Sequence, residues 1–153
     1  PSSYSDGSAI SGTWSTDNTN AAYGVSPVGY LYNYYVVQNP AGVCPTGWSV
    51  ADQADWTALL GYYGGASTAG ASLKSSVDWN GSLARDVFNA VPTPFKGNNG
   101  WEPGSFSETY FWIANTGNEE TLEANHMKLT GANAVTTEVW GYNTGLMIRC
   151  IRD

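Results

Sequence analysis

The chain has 153 residues, of which 42% are hydrophobic, 14% aromatic and only 12% charged. That length and that apolar share describe one folded domain with a real core and exclude a disordered segment. The net charge is -7 and the basic residues Lys74, Arg85, Lys96, Lys128, Arg149 and Arg152 are scattered, which argues against nucleic acid, an anionic membrane surface and membrane insertion alike.

Eighteen glycines and abundant Ser, Thr and Asn take the place of charge, a balance that suits a turn-rich extracellular domain. Because Pro1 is no natural start, the chain reads as a secreted form whose signal peptide has been removed. Residues 1–20, "PSSYSDGSAISGTWSTDNTN", read as an extended N-terminal segment ahead of a domain spanning 21–153. Ile10 and Trp14 share one strand-face parity, so the segment is either a strand-exchange arm or a strand of its own domain's sheet.

Residues 29–38, "GYLYNYYVVQ", are aromatic and β-branched, which predicts one strand ended by the turn "NPAG". Val43 and Cys44 then begin a short extended piece that Pro45 and Gly47 bend. Asp52 caps a helix, with Asp55 three residues on in a box-like position. Trp56, Leu59, Leu60 and Tyr63 form one apolar stripe, and Gly64 and Gly65 stop the helix. A second short helix is expected over "TAGASLKSS", with Leu73 facing inward.

From Trp79 onward the pattern is β and loop. "DVFNAVPTPF" is a broken extended run, with Pro92 and Pro94 keeping it off a central ladder, and "KGNNGWEPGSFSE" reads as a long loop. "TYFWIAN", "LEANHMKL" and "AVTTEVW" read as strands, and "GYNTG" turns the last of them into "LMIRCIR". There Leu146, Ile148 and Cys150 point to one face, toward the core. The expected architecture is α+β, with two short helices in the N-terminal half and an antiparallel, loop-rich β C-terminal half.

The only cysteines, Cys44 and Cys150, sit in segments that read as core strands near opposite chain ends. A disulfide between them is expected, against the alternative of two buried thiols. Such a bond persists in an oxidising compartment, which places the chain outside the cell or on its surface.

Five stretches together resemble the Fibrobacter succinogenes major paralogous domain family: "YGVSPVGYLYNYYVV", "NPAGVCPTGWSVADQADWTAL", "AGASLKSS…W", "FWIAN" and the closing "GLMIRCIRD". They span residues 23–153. The family's usual Pro then Ser or Thr before the first helix is Ala51 and Asp52 here, and Asp52 still caps. The resemblance implies a C-type-lectin-like fold, surface display and a C-terminal half suited to presentation or binding.

Calcium-dependent sugar binding on that fold uses a Glu-Pro-Asn or Gln-Pro-Asp loop and a Trp-Asn-Asp strand. Here only "WEPG", Trp101 to Gly104, comes near, so no metal or other cofactor is expected. In a strand, His126 and Glu123 face opposite ways and form no ligand pair. One histidine, no nucleophile elbow and no fixed carboxylate pair leave no catalytic centre. Asn80 opens the glycosylation tripeptide Asn-Gly-Ser. Trp101, Glu102, Tyr110, Trp140 and Tyr142 are the residues expected to bind a surface glycan or a protein ligand.

Two functions follow. The first is a non-enzymatic, lectin-like binding or adhesin module that presents loops within residues 96–143. The second is a structural subunit of a bacterial, pilus-like surface filament, self-associating through the Ile10–Trp14 strand by β-augmentation.

Overall fold

In the "GYLYNYYVVQ" stretch Asn33 divides what its neighbours would make continuous. A computed structural model describes residues 3–10, 22–25, 29–75, 79, 88–97, 100–102 and 107–153, with 22–25 and 100–102 as backbone. Strand β2 (Gly29–Tyr32) pairs antiparallel with β1 (Ala22–Val25) and ends at Tyr32. Asn33 then caps the short helix α1 (Tyr34–Val37), its side-chain oxygen accepting the Val36 N–H at 3.3 Å. The expected single strand is therefore corrected to a strand and a helical turn. Its aromatic and β-branched residues are buried from a helix: Val36 and Tyr34 enter two different core clusters.

Helix α2 (Gln53–Tyr62) forms as its cap dictates. The Asp52 carboxylate accepts from Ala54 N at 2.8 Å and Asp55 N at 3.1 Å, while Asp55 accepts from Asp52 N at 2.9 Å. Trp56 is buried, with Leu59, Leu60 and Tyr63 packed beside it. Gly64 and Gly65 adopt φ of +86° and +97°, a left-handed exit that L side chains rarely take. Helix α3 (Gly70–Leu73) is shorter than its pattern, because Lys74 leaves the helix to serve as an anchor. The fully buried Lys74 ammonium donates to the carbonyls of Thr130, Gly131 and Ala132 at 3.1, 2.9 and 2.8 Å.

Strand β3 (Trp48–Val50) pairs with β9 (Cys150–Arg152), and β4 (Phe95–Gly97) pairs with β5 (Gly100–Glu102). This second hairpin corrects the expected long loop. Phe95 packs on Tyr110 and Trp140, and Lys96 exchanges backbone hydrogen bonds with Gly145, which gives the hairpin a place to dock. Strands β6 (Glu108–Trp112), β7 (Glu123–Thr130) and β8 (Val135–Gly141) form a three-stranded antiparallel sheet. The described residues thus hold three short helices, one more than expected, and antiparallel strand pairs in four small sheets.

The expected strand over "LMIRCIR" is regular only from Cys150, yet its parity holds. Leu146, Ile148 and Cys150 enter the clusters around Trp112 and Cys44, while Met147 packs on the cluster around Trp56. Cys44 and Cys150 are joined by a disulfide with a Cα–Cα separation of 5.8 Å. Cys44 lies in a bend and not in a strand.

Residues 3–10 make a turn closed by the Ser3–Ala9 bridge. It is fastened by Ser5, whose N–H donates to Gly42 O and whose hydroxyl donates to Ala41 O, both at 2.7 Å. Tyr4 and Ile10 are buried against Tyr32, Val36, Val43 and Cys44. Trp14 and Asn80 lie outside the described residues.

The disulfide closes a loop of 106 residues. Replacing both cysteines by alanine is expected to lower the unfolding free energy by about 3–5 kcal/mol, seen as a fall in the urea midpoint with a steeper slope, because the freed unfolded chain exposes more surface. A loss below about 1 kcal/mol would show that the packing around the sulfurs holds without the covalent link.

Candidate functional site

The site follows from the register of β6, β7 and β8. Trp112 stands opposite His126 and Tyr110 opposite Lys128, while across β7 His126 faces Glu138 and Ala124 faces Trp140. Alternation puts Glu108, Tyr110 and Trp112 on one face with His126, Lys128, Glu138 and Trp140. Phe95 of β4 joins them, its ring centroid 4.6 Å from that of Trp140 and 5.5 Å from that of Tyr110. One end of this face is aromatic and the other is charged.

At the charged end Lys128 sits between two carboxylates, 3.6 Å from Glu108 and 3.5 Å from Glu138, all three side chains partly exposed. These are diagonal cross-strand neighbours, a spacing that long side chains span readily. Exposed pairs of this kind contribute little stability, so the row is worth more as a patterned surface than as a brace. The Tyr110 hydroxyl donates to Glu108, and Lys128 lies 5.7 Å from the Tyr110 ring centroid. Burial, and then the Glu108 carboxylate, raise the Tyr110 pKa.

At the aromatic end His126 is fully buried. Its ring centroid lies 4.4 Å from that of Trp140, 5.8 Å from Tyr110 and 6.1 Å from Trp112. Neither ring nitrogen has a hydrogen-bond partner, and Glu138 stands 3.9 Å from Nε2. Burial, followed by the Lys128 ammonium, lowers its pKa from 6.5 to about 4. The Glu138 carboxylate pulls the other way, but it is 38% exposed and already shared with Lys128. At neutral pH His126 is an uncharged ring in an aromatic stack.

The residues expected to bind divide by position. Trp140 is half-buried on this face, with its ring among Phe95, Tyr110 and His126. Tyr110 and Tyr142, expected as stacking platforms, are corrected to core residues at 4% and 1% exposure. Tyr110 faces the sheet's aromatic end, and Tyr142 packs between Tyr34 and Tyr35 with its hydroxyl donating to Glu119 at 3.1 Å. Glu102 and Trp101 belong to β5, opposite Phe95 and Lys96 in register; their side chains lie outside the described residues. Glu108, Lys128 and Glu138 were not singled out from sequence. Alternation alone puts Lys128 beside His126, but only the register brings in β6 and β8.

Lys128 separates the two carboxylates, and among the described residues no three His, Cys, Asp or Glu side chains converge as a metal site would require. The row offers instead two acceptor groups, one cationic donor and the edge of an indole, a set that reads polar ligands by hydrogen bonds and apolar ones by contact.

A family model described as the Fibrobacter succinogenes major domain matches residues 2–152. No curated protein and no solved structure gives a significant match.

The depressed pKa of His126 fixes the sign of an acid effect. The native state holds fewer protons than the unfolded chain between pH 6.5 and about 4, so stability is full above that window and is lost as pH falls through it. The loss expected from this one ring is on the order of 3 kcal/mol. His126→Phe is expected to flatten the stability–pH profile in that window, measured by urea unfolding at a series of pH values. An unchanged profile would mean that His126 does not set the acid limit.

Proposed function

We propose that this chain, which belongs to the Fibrobacter succinogenes major domain family, is a non-enzymatic extracellular binding module of the C-type-lectin-like kind. The observation that carries the reading is the sheet face where Trp140 adjoins the Glu108–Lys128–Glu138 row. Carboxylates flanking an ammonium group match the donors and acceptors of neighbouring sugar hydroxyls, and the half-buried Trp140 indole adds apolar surface for the C–H side of a sugar ring. The ligand class is a surface glycan. The disulfide supports an oxidising location. The burial of His126 supports a binding role over catalysis, since a ring with no exposed atom reaches no substrate.

A subunit of a surface fibre is the second reading, and the N-terminal turn favours it. Tyr4 and Ile10 fill the core cluster beside Cys44, yet the described turn is fastened to the domain backbone at Ser5 alone. The same contacts made by a neighbour's segment would join copies head to tail. Deleting residues 1–16 separates these outcomes by sedimentation: fibres lost on deletion support exchange, and a monomer that merely loses stability refutes it.

For the glycan reading, Trp140→Ala and Lys128→Met are each expected to weaken binding of an array-identified glycan roughly tenfold or more, by calorimetry. Tyr62→Ala, at an exposed site on α2, is the control and leaves binding unchanged. Equal affinity across all three variants would remove the site from this face.

A further inference from the structure

Away from the sheet face, a groove of about 280 Å³ opens between α2, the Phe88 segment and β9. Asp55, Trp56, Leu59, Phe88, Arg149 and Ile151 line it. Apart from Asp55 and Arg149, the side chains of that set are apolar or aromatic.

Arg149 is the unusual member. It takes part in no ion pair among the described residues, where Lys128 pairs with Glu108 and Glu138. One terminal nitrogen donates to the Phe88 carbonyl at 2.8 Å, and Nε is buried without an acceptor. The guanidinium carbon stands 4.5 Å from the Phe88 ring centroid and 5.4 Å from that of Phe111. Trp56 Nε1 is likewise buried with no acceptor. The lining of the groove therefore carries a guanidinium that is in no ion pair among the described residues, and two buried N–H groups that have no acceptor, a costly arrangement to leave unmet.

We infer that this groove binds a small organic monocarboxylate, its carboxylate on Arg149 and its aromatic or branched body against Trp56, Leu59 and Phe88. A planar guanidinium engages carboxylates better than any other side chain, and low local polarity strengthens the contact. Asp55 selects the charge of the ligand. Asp55 lines the same groove, so a dianion such as phosphate meets about twice the repulsion that a monoanion does, and lacks the apolar body that offsets it. The position of Arg149 is set by its neighbour, since Cys150 is tied to Cys44 and Arg149 O accepts the Ala51 N–H at 2.8 Å. The volume lies near the small end of ligand pockets and suits a body the size of one side chain. Such a carboxylate comes either from a free acid or from the last residue of a peptide.

The test is a titration of the full oxidised chain followed by amide and indole resonances in NMR spectra. The probes are phenylacetate, its neutral amide phenylacetamide, inorganic phosphate, and acetyl-Gly-Gly-Phe with a free or amidated end. Phenylacetate is expected to shift Ile151 and the Trp56 indole saturably, with phenylacetamide and phosphate at least roughly tenfold weaker. Leu59→Trp, which fills the groove and leaves Arg149 in place, abolishes binding. Arg149→Gln equalises the acid and the amide. Binding of the free-ended peptide but not its amide assigns the groove to chain ends, and binding of phenylacetate alone assigns it to free acids. The inference is overturned by equal binding of acid and amide to the unaltered chain, by phosphate binding as well as phenylacetate, by binding that survives Leu59→Trp, or by the absence of saturable shifts.

Discussion

One extended stretch, residues 145–150, is what makes a single fold out of four small sheets. Gly145 exchanges two backbone hydrogen bonds with Lys96 of β4, and Leu146 exchanges two with Tyr32 of β2. Met147 bonds Tyr110 and Trp112 of β6, Arg149 O accepts from Ala51, and Cys150 begins the pairing with β3. Three of the four sheets have only two strands, too few to be stable alone in water. Their side chains alternate too: Leu146 and Ile148 feed one pair of clusters and Met147 another, so the stretch is a shared wall between cores. The disulfide fixes that wall at one end.

The sheet face shows a different balance. Its aromatic end buries a histidine without hydrogen-bond partners, which burial keeps uncharged, while its charged end keeps three ionised groups at the surface. Burial penalises charge steeply in the first place and hardly at all in the second. The two ends are therefore held differently. The ring stack of Phe95, Tyr110, His126 and Trp140 is held by packing, and the Glu108–Lys128–Glu138 row keeps its three side chains partly exposed.

Local signals in the sequence were sufficient where the structure is local. The Asp52 cap, the Trp56–Tyr63 stripe and the glycine stop describe α2 nearly to the residue, because each acts within one or two turns. Strands β7 and β8 followed from alternation. The break at Asn33 did not: its neighbours have strong strand propensity, and what overrides them is a cap bond together with burial in two separate clusters. The β4–β5 hairpin was hidden for a related reason, since its docking partners Gly145, Tyr110 and Trp140 are remote in sequence. The candidate site was half visible. Trp140 could be named from composition, but Glu108, Lys128 and Glu138 become neighbours only through a register that no single segment contains. Tyr110 and Tyr142 were misplaced because a tyrosine that stacks on a ligand and one that fills a core have the same local sequence, and only the fold buries them.

The order of these parts along the chain governs the time course of folding. Everything that residues 145–150 join is made before them, and contacts such as Tyr32 with Leu146 or Ala51 with Arg149 close very long loops. Non-local closure of that kind is slow, and it comes at the finish. A chain that stops before residue 145 holds the β6–β7–β8 sheet and the buried members of the Trp56 cluster, but lacks the stretch that joins them to β2, β3 and β4. The Cys44–Cys150 bond can form only after residues 145–150 have been made, so oxidation seals the fold after its longest loops have closed.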